Sequence, residues 1–483
     1  MLLHILLSIV ITGSVLGAAL IILLDDGETG RKIAWLLIIG VFPVIGLVLY
    51  LLFGLNPRHH LFFERRRRRF TDAVEAADLG PLIPEEVSDG IDERYRPLAR
   101  MLARDPFETP SGGNSIELIT TGDRKYHLLL EDLASAREYI HIEYFHFGND
   151  KGGRDIRDML VRKASEGVKV RFLNENIGNF PIRPGYYDDM KKAGVDVVRF
   201  TNPRRHIIDF ITKLNYRNHR KIVVIDGRVG YTGGMNINDK YFLRWRDTHL
   251  RITGPAVCSL QYIFLESWIT AGGDVDRPLS GFFSPRPVSP PASESAGQTL
   301  DGQTVQIVAD EPHSLHSTLQ MSYEWALYNA KDYCYLQTPY FAPPEPVLNA
   351  LKSAALAGVD VRVMLPRESD TPLMRPVNRS YYKECLQAGV RIFERSGKFI
   401  HSKTFVSDDY ISCIGTTNID SRSFSINYED NAYVYGRDAA LMCRRVFMDD
   451  LGLSREIKMP EVLAWPWYKT LGQRVLRLFA ALL

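Results

Sequence analysis

The longest uninterrupted apolar runs of the chain lie in its first 55 residues. Leu2 to Leu24 and Ile33 to Leu55 each contain no Asp, Glu, Lys or Arg. As a helix, with a rise of ~1.5 Å per residue, each run would span ~34 Å, which is enough to cross a bilayer. A cleaved signal peptide is the alternative for the first run, but no basic region precedes it and a second apolar run follows at once. The pattern therefore predicts two transmembrane helices within residues 1–56.

Charges next to these runs predict their orientation. The loop from Asp25 to Lys32 holds three acidic and two basic residues, whereas Arg65 to Arg69 is an unbroken run of arginines. Because basic residues accumulate on the cytoplasmic side of a membrane, everything after residue 55 is predicted to be cytoplasmic. The arginine run is interpreted mainly as this topology signal, and alternatively as a patch that attracts anionic headgroups. A basic juxtamembrane and linker segment is assigned to residues 57–110.

Beyond this segment, short β-rich runs alternate with amphipathic helical patterns, which is typical of α/β architecture. The first strand candidates are Ser115 to Thr120, Tyr139 to Phe145, Val168 to Leu173 and Val195 to Phe200. A helix is predicted between them, because apolar residues recur at helical spacing from Ile156 to Ala164.

The same order of elements recurs later in the chain. The matches are Tyr335 to Phe341 with the run at Tyr139, Gly358 to Leu365 with Gly167 to Leu173, and Ala388 to Phe393 with Ala193 to Val198. The sequence thus predicts two copies of one α/β domain, at residues 111–275 and 304–459. A Pro/Ser-rich linker at 276–303 separates them, and an amphipathic segment at 460–483 ends the chain.

Composition narrows the class of protein. The chain has 483 residues, of which 45% are hydrophobic and 24% charged, with a net charge of +2. These values are typical of an ordinary folded protein, and the near-zero charge argues against a whole-chain nucleic-acid binder. Its five cysteines are widely spread and lack the CxxC spacing of zinc or redox sites. We expect no metal and no other cofactor.

The candidate chemistry lies in two copies of the pattern HxKxxxxD. The first copy comprises His219, Lys221 and Asp226, and the second comprises His401, Lys403 and Asp408. Counted from each histidine, both copies also have a glycine at +14, an asparagine at +17 and an acidic residue at +28, namely Gly233 and Gly415, Asn236 and Asn418, and Asp247 and Glu429. A shared offset of 182 residues over this stretch is far more specific than either motif alone.

This set of side chains suits a phosphodiester. A histidine and a lysine two residues apart on a strand project from the same face, so they meet a common ligand. If the copies face each other, the lysines and asparagines can stabilise the nonbridging oxygens, while one imidazole attacks phosphorus and the other protonates the leaving oxygen. Asp247 and Glu429 are available to hold each imidazole in one tautomer. Asp226 and Asp408 belong to the catalytic signature, with strand-fixing hydrogen bonds as the alternative role.

These residues resemble the phospholipase D superfamily, whose mark is a duplicated HxKxxxxD motif, and within it the bacterial cardiolipin synthases. The more specific matching stretches are Ile140 to Phe145, Asn215 to Lys221 and Gly415 to Phe424. Together with the apolar N-terminal hairpin and the Leu-rich C-terminal end, the resemblance covers nearly the whole chain. It implies an α/β fold of two phospholipase D-like α/β/α sandwich domains in pseudo-twofold arrangement, preceded by a transmembrane hairpin.

The resemblance also implies an activity. A phosphatidyl group would move reversibly from one phosphatidylglycerol to another, giving cardiolipin and glycerol, with His219 forming a phosphohistidine and His401 acting as general acid and then base. The implied partners are phosphatidylglycerol and other anionic lipids of the bacterial inner membrane, with the catalytic domains in the cytoplasm and the oligomeric state left open. Asn174 to Asn179 departs from the family pattern, in which an Asp and a Gly-Ser are common, and this departure bears on headgroup selection.

Four other functions share parts of this pattern. A hydrolytic phospholipase D would use the same site with water as acceptor, and a phosphatidylserine-type synthase would use a nucleotide-activated lipid. A nuclease is disfavoured because two membrane spans serve no purpose for a nucleic-acid substrate. A scaffold with a degenerate site is disfavoured because both motif copies are intact.

The last segment has an amphipathic pattern of its own. Leu471, Val475, Leu478 and Leu482 fall on one helical face, after aromatic residues at Trp465, Trp467 and Tyr468. Aromatic anchors with basic flanks suit a bilayer interface. Packing of this face against the protein itself is the equally weighted alternative.

Overall fold

The computed structural model describes residues 2–25, 29–54, 61–77, 79, 90–179, 182, 184–200, 216–283 and 299–480. Its helices are α1 Leu2–Leu24, α2 Thr29–Val41, α3 Pro43–Leu49, α4 Leu61–Ala77, α5 Arg96–Leu102, α6 Gly122–Ser135, α7 Lys151–Ser165, α8 Pro184–Lys192, α9 Ala256–Thr270, α10 Thr318–Asn329, α11 Glu345–Leu356, α12 Met374–Ser380, α13 Tyr382–Gln387, α14 Ser421–Ser425, α15 Arg437–Leu451, α16 Met459–Leu463 and α17 Trp467–Arg477. Short π-helical turns occupy Tyr50–Gly54 and Lys240–Arg244, and short 3₁₀ turns occupy Pro106–Glu108 and Leu279–Phe282.

The strands fall into two series. Those of the first are β1 Ser111–Ile119, β2 Tyr139–Tyr144, β3 Lys169–Asn174, β4 Asp196–Arg199, β5 Lys221–Ile225, β6 Val229–Gly233, β7 Trp245–Arg246 and β8 His249–Thr253. Those of the second are β9 Thr299–Asp310, β10 Tyr333–Gln337, β11 Phe341–Ala342, β12 Asp360–Pro366, β13 Arg391–Arg395, β14 Phe399–Ile400, β15 Thr404–Ser407, β16 Ile411–Gly415, β17 Ile419–Asp420, β18 Glu429–Tyr435 and β19 Ser454–Ile457.

Among the described residues, fifteen strands form one mixed sheet that crosses both halves. Its order is β19-β13-β12-β10-β15-β16-β18-β9 in the second half, continued by β1-β8-β6-β5-β2-β3-β4 in the first. Read outward from the antiparallel β1–β9 junction, the two halves repeat the same order, and β19 adds one further edge strand. This arrangement is the predicted pseudo-twofold repeat.

Helices cover both faces of the sheet. In the first half, side chains of α6 and α7 pack on one face and those of α9 on the other. In the second half, α10 and α11 cover one face and α15 the other. The apolar cluster under α9 also contains Val305, Ile307 and Ile414, so the core continues across the junction of the halves. The predicted α/β/α sandwich architecture is confirmed.

The motif strands lie at the centre of each half. In β5, Ile222, Val223, Val224 and Ile225 are all buried, with β2 on one side and β6 on the other. A run of β-branched residues without alternation is the pattern of a strand covered on both faces. The apolar sequence after Lys221 therefore fixes this strand in the sheet interior, and the motif histidine lies just before the strand begins.

The register of the repeat differs from the sequence match at one strand. The amide of Asp226 donates to the carbonyl of Tyr139, and the amide of Asp408 donates to that of Tyr333. Tyr333, not Tyr335, is therefore the counterpart of Tyr139, and the predicted match of the run at Tyr335 is wrong by two residues. A shift of two keeps every side chain on the same face of a strand, so the hydrophobic pattern alone could not detect it.

The N-terminal segment forms a helical hairpin whose second arm is broken. Within the described residues, His4–Leu24 is the one helical stretch long and apolar enough to cross a membrane. The second apolar run is not a continuous helix, because α2 ends at Val41 and α3 begins at Pro43, which lacks the amide that would continue the helix. Ala18, Ile22 and Ile39 are buried between the arms. Two spans and a cytoplasmic catalytic body stay predictions.

Two other predicted segments are described in part. Residues 284–298 of the linker and residues 57–60, 78 and 80–89 of the juxtamembrane segment lie outside the described residues, as do residues 55 and 56 at the end of the predicted hairpin. In the C-terminal segment, Gln473 and Ala480 of the last helical stretch face the protein, whereas Leu471, Val475 and Leu478 are exposed. Leu482, the last residue of the predicted apolar face, lies outside the described residues. The described part of that face is thus exposed. The boundaries assigned to the individual domains stay predictions.

Candidate active site

The two motif histidines are held by the opposite halves of the molecule. The amide of His219 donates to the carbonyl of Tyr428 at 2.9 Å, and the amide of His401 donates to the carbonyl of Arg246 at 2.7 Å. Tyr428 and Arg246 are separated by the same 182 residues as the histidines. The internal symmetry of the sequence therefore reappears as a two-fold exchange, in which each motif segment lies along a segment of the other copy.

The acidic residues at +28 cross over in the same way. Nδ1 of His219 lies 2.8 Å from Oε2 of Glu429, and Nδ1 of His401 lies 2.7 Å from Oδ2 of Asp247. Both carboxylates are at most 2% exposed. A carboxylate at Nδ1 holds the proton on that nitrogen and leaves Nε2 as the reactive nitrogen. Each histidine is thus oriented by the motif copy to which it does not belong.

Burial gives both imidazoles a neutral resting state. Burial lowers the pKa of His219 below its ordinary value, and the positive charge of Lys221 adds to this effect while Glu429 opposes it. Burial lowers the pKa of His401 further, together with the charge of Lys403. Burial alone would raise the pKa of Glu429. The contact with His219 and the positive charge of Lys221 outweigh burial, so the pKa of Glu429 falls. A neutral imidazole beside an ionised carboxylate is the form that a nucleophile requires.

Each motif lysine contacts the histidine of its own motif copy, and both lysines are fully buried. Nζ of Lys221 donates to the carbonyl of His219 at 2.7 Å, and Nζ of Lys403 lies within 3.1 Å of both ring nitrogens of His401. Burial lowers the pKa of Lys221 to about 8 and that of Lys403 to about 7. Burial deprives these ammonium groups of water, so they attract a bound phosphate strongly. The negative charge of the phosphate in turn stabilises the protonated form of each lysine.

One cavity of about 860 Å³ joins the two motif copies. Its wall includes His219, His401, Asn236 and Asn418. The amide of Asn236 is held by its contacts, since Nδ2 donates to the hydroxyl of Tyr241 at 2.8 Å and Oδ1 accepts from the amide of His146. The structure thus brings the predicted histidines and asparagines to a common space large enough for a phospholipid headgroup and its glycerol backbone.

Asp226 and Asp408 lie away from this space, at the far ends of their strands. At ~3.3 Å per residue, Asp226 is ~17 Å along β5 from Lys221. Its carboxylate accepts the amides of Arg137, Glu138 and Tyr139, each at 2.8 Å. Asp408 repeats this pattern, accepting the amides of Lys331, Asp332 and Tyr333 and pairing with Arg94. The geometry favours the strand-fixing role that the sequence left open.

Several cavity residues were missed by sequence reasoning. Tyr241 and Trp245 pack on the ring of His401 with centroids 5.3 and 5.0 Å away, and Phe145 packs on His219 at 5.1 Å. Arginines at positions 217 and 422 also line the cavity. The signal available for Arg217 was its place two residues before His219. His141 is buried between Gln261 and Arg171, whereas His146 lines the cavity.

The lysine pKa values lead to a pH prediction. The free enzyme binds a lipid phosphate best when Lys221 and Lys403 are protonated, and kcat/KM reports the pKa values of the free enzyme. Since these pKa values are about 8 and about 7, kcat/KM is expected to fall by more than about tenfold between pH 7 and pH 9. Initial rates on lipid vesicles across this range test it, with vesicle binding measured at each pH as the control. A flat profile would contradict the prediction.

The strand-end aspartates lead to a stability prediction. Asp226→Ala leaves three backbone amides without their acceptor, at a cost of about 1 to 3 kcal/mol for each buried group. We expect the melting temperature to fall by several degrees, while the activity of each folded molecule changes less than about threefold. Thermal unfolding and kcat at a temperature well below the transition measure the two effects. A loss of kcat by orders of magnitude in protein that is still folded would instead place Asp226 in the chemistry.

Comparison with known proteins agrees with the geometry. Residues 129–268 and 324–451 match the family described as "Cardiolipin synthase, PLD-like domain", and residues 14–54 match a family described as the phospholipase D-nuclease N-terminal segment. The "Cardiolipin synthase" of Geobacillus kaustophilus is 35% identical over 99% of this chain and 94% of its own length. The chain belongs to the cardiolipin synthase family. It is therefore a member of the phospholipase D superfamily and a phosphatidyltransferase, as the duplicated motif predicted.

Other members of the comparison span a similar share of the chain. The "Major cardiolipin synthase ClsA" of Bacillus subtilis is 34% identical over 99% of both proteins. Among solved structures, the phosphatidylserine synthase of Haemophilus influenzae superposes with a TM-score of 0.55 at 15% identity, covering 76% of this chain and 93% of that one. At that identity the likeness concerns the fold. For a cardiolipin synthase, phospholipid substrates and an N-terminal apolar segment at the membrane agree with the sequence predictions.

Proposed function

We propose that the cavity transfers a phosphatidyl group between two phosphatidylglycerol molecules, giving cardiolipin and glycerol in two displacement steps. In the first step Nε2 of His219 attacks phosphorus, a P–N bond forms, and the P–O bond to the glycerol headgroup breaks. His401, which takes up a second proton when the anionic phosphate binds beside it, gives the proton of its Nε2 to the departing oxygen and becomes neutral. In the second step His401 takes the proton of a hydroxyl on the second lipid, whose oxygen attacks phosphorus and displaces His219. The overall exchange is reversible, since one phosphodiester replaces another.

The observation that carries this proposal is the pair of crossed histidine–carboxylate contacts on one cavity wall. A nucleophile and a proton donor on opposite sides of a single phosphorus are what an in-line displacement requires. Glu429 supports His219 as the nucleophile, because its negative charge stabilises the positive charge that develops on the imidazole during attack. Lys221, Lys403, Asn236 and Asn418 supply cationic and amide donors for the nonbridging oxygens.

The surroundings of the cavity support a lipid acceptor over water. Trp35, Ile38 and Leu49 of the N-terminal hairpin and Phe479 near the C-terminus also line this cavity. An apolar rim lowers the concentration of water at the phosphohistidine and admits acyl chains. On the outer side of the hairpin, large apolar side chains such as Leu16, Val41 and Ile45 are more than half exposed, which suits contact with lipid. We therefore place both arms of the hairpin across the bacterial inner membrane, with the catalytic body on the cytoplasmic side.

The exposed face of α17 extends this placement. Leu471 and Val475 of α17, and Leu478 directly after it, point away from the protein, next to Trp467, which is 76% exposed. An apolar face with an aromatic residue at one end suits the boundary between headgroups and acyl chains. The hairpin and this helix would then hold the cavity opening against the same membrane surface from which the substrates come.

The test is incubation of the purified full-length protein with vesicles of phosphatidylglycerol as the sole phospholipid, followed by mass analysis of the products. Cardiolipin and glycerol in equal amounts are the expected result. Phosphatidic acid with glycerol would identify a hydrolase that uses water as acceptor. Turnover that appears only when a nucleotide-activated lipid is supplied would identify the other class of phosphatidyltransferase.

A further inference from the structure

Two arginines line the active-site cavity on the side of His219. Arg217 lies two residues before that histidine, and Arg422 lies in the short helix α14 of the other half. Their backbones are fixed by hydrogen bonds, because the amide of Tyr428 donates to the carbonyl of Arg217 at 2.8 Å and the amide of Ile426 donates to that of Arg422 at 2.8 Å. The same turn at 426–428, between α14 and β18, therefore positions both arginines.

The charge of this pair is only partly compensated within the protein. Nη1 of Arg217 is buried and has no hydrogen-bond partner among the described residues. Burial lowers the pKa of Arg217, while Glu175 opposes that shift. Burial also lowers the pKa of Arg422, and the positive charge of Arg217 lowers it further. Two half-buried guanidinium groups that repel each other are costly unless an anion joins them.

The nearby carboxylates are already engaged in local contacts. Glu175 accepts the amides of Asn218 and Ile177 at 2.9 and 3.2 Å. Asp420 accepts the amide of Ser423 at the start of α14, and Glu429 contacts His219. These carboxylates reduce the positive charge around the arginines. Nη1 of Arg217 nevertheless has no hydrogen-bond partner among the described residues, in a side chain that lines the cavity.

The reaction supplies an anion of the right kind. Cardiolipin carries two phosphodiesters joined by a three-carbon bridge, so the acceptor lipid brings a phosphate of its own close to the phosphorus under attack. The transferred phosphate already has two lysines and two asparagines. Guanidinium groups bind phosphate through paired hydrogen bonds, which fix its orientation as well as its charge. We propose that Arg217 and Arg422 form a second phosphate subsite, which holds the acceptor lipid while its glycerol hydroxyl attacks the phosphohistidine.

This subsite, which rests on the proposed transfer reaction, explains how the enzyme selects an anionic lipid over small neutral alcohols. A hydroxyl tethered to a bound phosphate is presented at a high effective concentration next to the phosphohistidine. Glycerol and water lack that tether. The subsite therefore acts on the second step and on the choice of acceptor.

The experiment compares two acceptors in the same vesicles. Full-length wild type, Arg217→Gln and Arg422→Gln are given phosphatidylglycerol with labelled free glycerol, and both cardiolipin formation and incorporation of the label into phosphatidylglycerol are measured. The ratio of the first rate to the second is expected to fall by about tenfold or more in each variant. Arg154→Gln, an exposed arginine on α7, is the matched control and should leave the ratio unchanged.

The outcomes separate this subsite from the proposed function. Absence of both products with wild-type protein would refute the transfer reaction itself. An equal loss of both reactions in the Gln variants, or an unchanged ratio, would overturn the subsite. Arg217→Lys and Arg422→Lys keep the charge but not the paired donors, and we expect a smaller fall in the ratio. A further combination of results would also overturn the subsite. In it, the Lys variants fold like the wild type and keep the wild-type ratio, while the Gln variants lose both reactions.

Discussion

Replacing His219 by alanine is expected to reduce cardiolipin formation by at least about a thousandfold, because the nitrogen that attacks phosphorus is then missing. His401→Ala should cause a loss of similar size with the natural substrate, since the glycerol oxygen then leaves without a proton. Both residues lie just outside the buried strands, so the variants should fold and reach the membrane as the wild type does. His127→Ala, at an exposed position on α6, is the matched control.

A substrate with a good leaving group separates the roles of the two histidines. Nitrophenolate needs no proton to depart, so a nitrophenyl phosphatidyl diester should restore the first step in His401→Ala and leave phosphohistidine on His219. The same diester should release no nitrophenolate from His219→Ala. Mass analysis of the intact protein detects the covalent intermediate. Accumulation of the adduct in His219→Ala, and none in His401→Ala, would reverse the assignment of nucleophile and acid.

Much of this site could be predicted because its information is local. The spacing of His219 and Lys221 fixes a common direction for the two side chains, and the buried run after Lys221 fixes the strand that carries them. The common offset of 182 residues then predicts that the halves are equivalent. The same reasoning predicts the central strands of each half and the helices between them, since hydrophobic periodicity is set by neighbours in the sequence.

The features that escaped prediction depend on contacts between the halves. The 28-residue spacing does not determine whether Glu429 contacts His401, in its own copy, or His219, in the other. The answer depends on how the two halves of the sheet join at β1 and β9. The pairing of Arg217 with Arg422 could not be predicted for the same reason. Both lie in stretches that match the family pattern, but their common cavity exists only after the segments at 217–219 and 426–428 come together.

The break at Pro43 shows a different limit. Composition measures whether a segment is apolar enough for a membrane, and the run from Ile33 to Leu55 satisfies that measure throughout. Whether the run is one helix depends on a single missing amide at Pro43, and the arm divides there into α2 and α3. The residues on either side of the break, Ile38 and Leu49, line the catalytic cavity, so the division places both short arms beside the site.

The crossed carboxylates give the second large effect. Glu429→Gln puts an amide in place of the carboxylate at Nδ1 of His219, which favours the wrong tautomer and removes the charge that stabilises the ring during attack. Losses of about a hundredfold to ten-thousandfold follow such changes in catalytic histidine–carboxylate pairs. Asp247→Asn should impair His401 by the same mechanism. Asp123→Asn, at an exposed carboxylate on α6, is the control and should retain wild-type activity.

The nitrophenyl diester distinguishes crossed pairing from pairing within each copy. If Glu429 serves His219, Glu429→Gln should slow the initial burst of nitrophenolate, because attack by His219 is the step that weakens. Asp247→Asn should leave that burst near its wild-type rate and slow the later turnover, in which His401 must take a proton from the acceptor alcohol. Pairing within each copy requires the opposite result, with Asp247→Asn slowing the burst and Glu429→Gln sparing it. Because the substitutions are nearly isosteric and lie in equivalent positions of the repeat, a difference in the affected step reports which histidine each carboxylate holds.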